Sequence, residues 1–168
     1  METVAEHCVM LLSFGVTNET NSDITQAPLL QLVENCTRLK ELMVCNVRAV
    51  NDKLLHALAK HGPQLLKVNV SGCSLITDDG VCALVKHCTK LAMIGLCGKL
   101  ITDTSLFAIA QHCGDLHFVY FDECNNISQV GMKALVEDCK KLTFANVNHK
   151  LRAMKKEWAG ENPLVFIC

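Results

Sequence analysis

The sequence predicts an α/β solenoid of about six repeats, with parallel strands on a concave face and helices on a convex face. Two observations carry this. A nine-residue pattern, C-x-x-L-x-x-Φ-x-Φ with Φ apolar, recurs six times at nearly constant spacing. Each later copy is followed by a polar turn and then by apolar residues at i, i+3 and i+4, the period of an amphipathic helix. Strand–helix units of this size cannot bury their apolar faces alone, so they stack. Parallel strands joined by helices at such a period curve as they stack.

The elements follow in chain order. "CVMLLSFGV" from Cys8 centres a strand near Phe14, and the polar stretch "TNETNSDIT" from Thr17 lengthens this first unit by about two residues as a loop. "CTRLKELMV" from Cys36 centres a strand near Leu42, with a helix beginning after Asn51. In "GPQLLKVNV" Gly62 stands where the other copies have cysteine; the strand centres near Val68 and the helix follows Thr77. "CTKLAMIGL" from Cys88, "CGDLHFVYF" from Cys113 and "CKKLTFANV" from Cys139 place strands near Ile94, Val119 and Ala145. Helices are expected after Thr102 and Ser128. The six starts lie 28, 26, 26, 25 and 26 residues apart. A hydroxyl just before an apolar-periodic run caps a helix N-terminus, which is the role expected of Thr77, Thr102 and Ser128. One leucine per later unit, Leu39, Leu65, Leu91, Leu116 and Leu142, should form a buried ladder.

These repeats occupy residues 1–148, and residues 149–168 read as a C-terminal cap of a helix and a short strand. Leu151, Met154 and Trp158 follow helical spacing, and "NPLVFIC" reads as the strand. A terminal cap shields the last repeat of a solenoid. From Lys140 to Lys156 there are six Lys or Arg residues and no Asp or Glu. Besides a cap, that run reads as a basic patch for an acidic or phosphorylated partner.

Composition narrows the function classes. A formal net charge of -1 over 168 residues gives no global attraction to nucleic acid or anionic membrane, so neither is expected as a partner. No apolar run approaches the ~18 residues of a membrane span. The start "METVAEHCVMLL" makes a poor signal peptide, because it is acidic at the front and has no small-residue cleavage site. Eleven cysteines are an odd number for a disulfide framework, and a chain this long can build a core without staples. A reducing, cytoplasmic or nuclear location is expected, with the sequons at Asn18, Asn35, Asn69 and Asn126 read as chance matches.

The stretch "CSLITDDGVCALVKHC", residues 73–88, raises the question of chemistry. Zinc sites use paired cysteines at C-x₂₋₄-C spacing, and no such pairs occur. Cys88, Cys113 and Cys139 instead share one phase of the repeat, and Cys73 and Cys124 another, with Cys97 near the second. Free cysteine behaves as a small hydrophobe and suits tight buried corners. His7, His87 and His112 repeat one surface position and would form a row rather than a tetrahedral site. No nucleophile elbow, P-loop or dinucleotide turn is present. The chain is therefore read as a non-enzyme without metal or cofactor.

The units "VNVSGCSLITDDGVCALVKHCTKL" and "VYFDECNNISQVGMKALVEDCKKL" resemble the cysteine-containing leucine-rich repeats of F-box/LRR proteins and of relatives of the antagonist of mitotic exit network protein. The resemblance covers residues from about 7 to 148 and implies a right-handed horseshoe segment that binds proteins. It implies the substrate-recognition repeats of an F-box/LRR-type ubiquitin-ligase subunit. The alternative is a stand-alone repeat scaffold or regulatory binder with no link to ubiquitin. In that family an F-box precedes the repeats; here a repeat begins at Cys8, so an adaptor contact is expected only through an F-box outside this chain.

Alternate strand residues face opposite sides of a sheet, so those flanking each Φ-x-Φ pair should point out of the concave face. In the last units these include Met93, Phe118, Tyr120, Asp122, Phe144, Asn146 and Asn148, read as the partner-binding residues of a monomer. Phe118, Tyr120 and Phe144 form the expected hot spot, with Asp122, Asn146 and Asn148 as its polar rim. Phe118 and Phe144 should be neighbours, with Met93 on the other side of Phe118. A competing expectation is that the C-terminal cap, through Trp158 or Phe166, folds over these rings.

Overall fold

Short segments with apolar residues at alternate positions gain little alone, and pairing them side by side satisfies their backbones while leaving one face for a helix to cover. This is the arrangement in the computed structural model, which describes residues 10–18, 24–147 and 165–167. The side chains of Asp122 and of residues 165–167 lie outside that description. The elements in order are β1 (Ser13–Thr17), α1 (Ala27–Asn35), β2 (Glu41–Cys45), α2 (Asp52–His61), β3 (Lys67–Asn69) and α3 (Asp78–His87). They continue as β4 (Met93–Cys97), α4 (Asp103–His112), β5 (Phe118–Asp122), α5 (Gln129–Asp138), β6 (Phe144–Asn146) and β7 (Val165–Ile167).

The seven strands form one sheet in chain order, and every neighbouring pair is parallel. The register aligns Phe14, Leu42, Val68, Ile94, Val119, Ala145 and Phe166 in a single row. The first six of these are the strand residues expected from the repeat. Each helix packs on the helices before and after it, in the same order as the strands. The helix expected between Leu151 and Trp158, together with Cys8, Asn148 and Trp158, falls outside the described residues.

The core is a stack of equivalent apolar layers. Leu39, Leu65, Leu91, Leu116 and Leu142 are all buried, as are the inward residues Leu42, Val68, Ile94, Val119 and Ala145. Full burial of one such side chain stabilises by about 1.5–3 kcal/mol. In β1 the equivalent positions Phe14 and Val16 are only half-buried, because that strand has a described neighbour on one side alone.

Helix starts carry a second ladder, made of polar atoms. Thr77, Thr102 and Ser128 cap α3, α4 and α5, each hydroxyl accepting from a backbone N–H two residues on. Asn51 does the same for α2 with its side-chain oxygen. Each cap is then gripped by the preceding unit. The Thr77 backbone N–H and hydroxyl donate to the two Asp52 carboxylate oxygens at 2.8 and 2.6 Å. Thr102 donates likewise to Asp78 at 2.9 and 2.6 Å, and Ser128 to Asp103. Ser105 adds a third donor to Asp78. At the first step Gln26 replaces the acid: Asn51 N–H donates to Gln26 Oε1 at 2.6 Å. Charge-assisted pairs of this kind are the stronger hydrogen bonds of a fold. Space for them comes from Gly80 and Gly131, where a Cβ would collide with the carboxylates of Asp52 and Asp103.

After β2, β3, β4 and β5 the chain turns through a left-handed residue at the same phase: Asn46, Gly72, Gly98 and Glu123, with φ of 60°, 78°, 108° and 54°. Glycine and asparagine suit that conformation, and glutamate does not. Glu123 is exposed and sits at the end of β5, beside the aromatic strand pair described below.

Burial pushes the Asp78 carboxyl upward, but the bonds from Ser105 and Thr102 outweigh it and hold the group below the ordinary aspartate range. The folded chain thus resists a proton that the unfolded chain accepts, so this contribution is present above about pH 4 and is lost as pH falls through the lower folded value. Asp78→Ala should cost about 2 kcal/mol of folding stability at neutral pH, since it leaves three donors unpaired. Urea unfolding checks this: the gap between variant and wild type should narrow below pH 4.

Candidate functional site

Helices cover one face of the sheet, and the other face carries the alternate strand residues. On that open face the rows read across the strands. One runs Ser13, Glu41, Lys67, Met93, Phe118, Phe144, and the next Gly15, Met43, Asn69, Gly95, Tyr120, Asn146. The two ends differ in character. At the N-terminal end Glu41 pairs with Lys67 at 2.8 Å and accepts from Ser13 Oγ at 3.2 Å. That Lys67 hydrogen bond holds the Glu41 carboxyl below its ordinary value, against a small opposing effect of burial.

At the C-terminal end the aromatic rings meet. Tyr120 and Phe144 lie 5.2 Å apart between ring centroids at 44°, and Phe118 and Phe144 lie 6.2 Å apart at 45°. Such tilted pairs at this distance attract through their quadrupoles. Phe118 is 42% exposed, while Tyr120 and Phe144 are half-buried. Met93 flanks Phe118 in register and Asn146 flanks Tyr120, so the structure brings together five of the seven residues expected as a partner site. Asp122 is placed by its backbone at the end of β5, and Asn148 lies outside the described residues.

Reading by alternation alone missed two features. His117, one residue before β5, stacks its ring on Phe118 at 6.3 Å and 27°. Its Nδ1–H donates to the Asp115 carbonyl at 2.7 Å, which sets the ring plane. The alternation places Gly95 and Cys97 on the open face, yet both are buried. Gly95 is covered because the Asn69 amide lies across it, in the space where a Cβ would stand. Asn69 is held there as its Oδ1 accepts from Ser71 N–H at 2.9 Å. The glycine was visible in the sequence; the side chain over it was not.

No protein-family model matches the chain. Its sequence is 23% identical over 137 residues to antagonist of mitotic exit network protein 1 of Candida glabrata, covering 64% of this chain and 27% of that protein. It is 32% identical over 113 residues to the protein of the same name in Eremothecium gossypii, covering 63% of this chain and 29% of that one. F-box/LRR-repeat protein 12 of Arabidopsis thaliana is 28% identical over 117 residues, covering 67% of this chain and 30% of the relative. The resemblance read from the repeats holds. The chain spans less than a third of the length of these curated relatives. Among solved structures, the yeast Rad7–Elc1 complex matches with a TM-score of 0.61 at 13% identity, over 98% of this chain and 56% of that one. Leiomodin-1 actin-binding site 2 matches with a TM-score of 0.60 at 16% identity, over 94% and 92%. These two likenesses concern the fold.

The cysteines, the other candidates for chemistry, serve the stack. Cys36, Cys88, Cys113 and Cys139 each follow a helix as its C-cap, and each backbone N–H closes the last helical turn. Cys88 Sγ donates to the Gly62 carbonyl and Cys139 Sγ to the Cys113 carbonyl, both at 3.4 Å, so the thiol reaches the cap of the unit before. Cys73 Sγ donates to the Val44 carbonyl at 3.3 Å. Burial pushes the thiols of Cys73, Cys88 and Cys139 up to about 11. Burial, reinforced by the neighbouring thiols of Cys139 and Cys88, takes Cys113 to about 12. Among the described residues no three His, Cys, Asp or Glu side chains converge on a metal-sized point. Thiolate is the reactive form, so Cys73, Cys88, Cys113 and Cys139 should resist a thiol reagent at pH 8 in the folded protein. All four should react in denaturant, as peptide mass spectrometry of the labelled protein would show.

Proposed function

We propose that this chain is a protein-interaction module whose partner seats on the open strand face across β4, β5 and β6. The stack is read as a right-handed leucine-rich-repeat solenoid with that face concave, and the chain as a monomer without enzymatic activity. The observation that carries the reading is the aromatic cluster of Phe118, Tyr120 and Phe144, which stands on the sheet face opposite the helices. Exposed aromatic groups backed by a rigid sheet mark interfaces and dominate binding energy. Met93 extends the apolar surface, and Asp122, Asn146 and Asn148 are assigned to its polar rim.

Similarity to an F-box/LRR-repeat protein supports a more specific role, recognition of substrates for a ubiquitin ligase, in the cytoplasm or nucleus. Likeness to Rad7, a protein crystallised as a complex with Elc1, is compatible with a module that works inside an assembly. Similarity to two antagonists of the mitotic exit network favours a second reading, a regulatory binder that acts without a ligase. Affinity purification with mass spectrometry separates the two: a cullin-type ligase adaptor among the partners supports the first, and partners without one support the second.

Both readings rest on the same surface. Tyr120→Ala should weaken partner binding by about 2 kcal/mol, roughly 30-fold. Its effect on folding stability should stay near 1 kcal/mol, the scale of one aromatic pair. Partners retained in full by a folded Tyr120→Ala, Phe144→Ala double variant would remove the proposal.

A further inference from the structure

The chain carries a formal net charge of -1, yet the turns beside the aromatic cluster hold more cations than acids. The turns that lead into β4, β5 and β6 hold Lys90, His117, Lys140 and Lys141, against Asp115 within them and the exposed Asp138 at the end of α5. Lys90, Lys140 and Lys141 are exposed, and Lys141 pairs with Asp115 at 2.5 Å. Lys90 and Lys140 therefore stand as cations at the edge where the aromatic strands begin. At the opposite edge the turn after β5 holds the exposed acid Glu123, in a left-handed conformation that disfavours it, and the turn after β4 holds the exposed Lys99.

We propose that the occupant of this face is a linear protein segment with an apolar anchor and an acidic end, the acid lying over Lys90 and Lys140 and the anchor over Phe118, Tyr120 and Phe144. This rests on the reading of the strand face as the interaction surface and adds the chemistry and direction of the partner. The charge asymmetry sets the direction: an acid at the strand starts meets Lys90 and Lys140, whereas at the strand ends the single cation Lys99 is offset by Glu123. Five strand residues span about 17 Å, so the acid and the far end of the anchor lie about five residues apart if the segment is extended, or about eleven if it is helical. Nucleic acid is disfavoured as the occupant. The rings tilt into one another at 5.2 and 6.2 Å instead of presenting free parallel faces to bases.

A random 16-residue peptide library displayed on phage, selected against the full chain, tests this. Three baits are compared: the wild type, Tyr120→Ala with Phe144→Ala, and Lys90→Glu with Lys140→Glu. Peptides selected on the wild type are expected to be rich in Asp or Glu at one end and in large apolar residues beyond it. Synthesised and labelled, they should lose at least 10-fold in affinity on either double variant. Raising the salt from 50 to 300 mM should also weaken them severalfold, as screened ion pairs require. Neutral or basic peptides that need Tyr120 and Phe144 but ignore Lys90 and Lys140 would overturn the charge inference and leave the surface reading standing. Peptides that bind the Tyr120, Phe144 variant undiminished, or no enrichment at all, would overturn the surface reading itself. Displacement of the selected peptides by a single-stranded oligonucleotide at equal concentration would overturn the choice of protein as occupant. Circular dichroism melts of all three baits confirm that each is folded.

Discussion

Everything in this structure depends on a unit that cannot stand alone. A strand of three to five residues and a helix of nine or ten bury little apolar area by themselves. Each unit is completed by the next in two ways at once. Leucines stack in the core, and an acid in the first turn of one helix holds the cap of the following helix through paired bonds such as Asp78 to Thr102. The first contact drives association without direction. The second is directional, and it sets the phase at which each helix begins. Together they explain why the spacing stays at 25 or 26 residues through the later units while the intervening sequence varies.

That coupling has a geometric consequence for function. The described helices lie on one side of the sheet, so the other side presents a continuous parallel surface whose outward residues, apart from the buried Gly95 and Cys97, lie outside the core layers. The chain can place Glu41 and Lys67 at one end of this face and Phe118, Tyr120 and Phe144 at the other without disturbing a core layer. Inward residues such as Val119 and Ala145 carry the stability, and their outward neighbours are available for recognition.

The fold was legible because its signal is repeated. Six copies of one apolar pattern place the strands at Phe14, Leu42, Val68, Ile94, Val119 and Ala145, and the structure pairs those residues in register. The hydroxyl caps at Thr77, Thr102 and Ser128 were equally readable. The partners of those caps were not, because Asp52, Asp78 and Asp103 read on their own as ordinary first-turn acids that suit a helix dipole. Their bonds run 24 to 25 residues along the chain, and only the stacked geometry shows them. Alternation located Phe118, Tyr120 and Phe144 but could not foresee His117 turning onto Phe118, or Asn69 lying over Gly95. Those contacts depend on rotamers and on close approach between neighbouring strands, to which a period-two pattern is blind.

The strand face is not the molecule's sole apolar surface: Phe107 on α4 and Val130 on α5 are also exposed, on the helical side. Hydroxyl-radical footprinting of the chain, free and bound to a partner recovered from cells, decides between the two directly. The account predicts that side-chain oxidation at Met93, Phe118, Tyr120 and Phe144 falls on complex formation while Phe107 and Val130 are unchanged. Protection of Phe107 and Val130, with Met93, Phe118, Tyr120 and Phe144 oxidised as in the free chain, would contradict it.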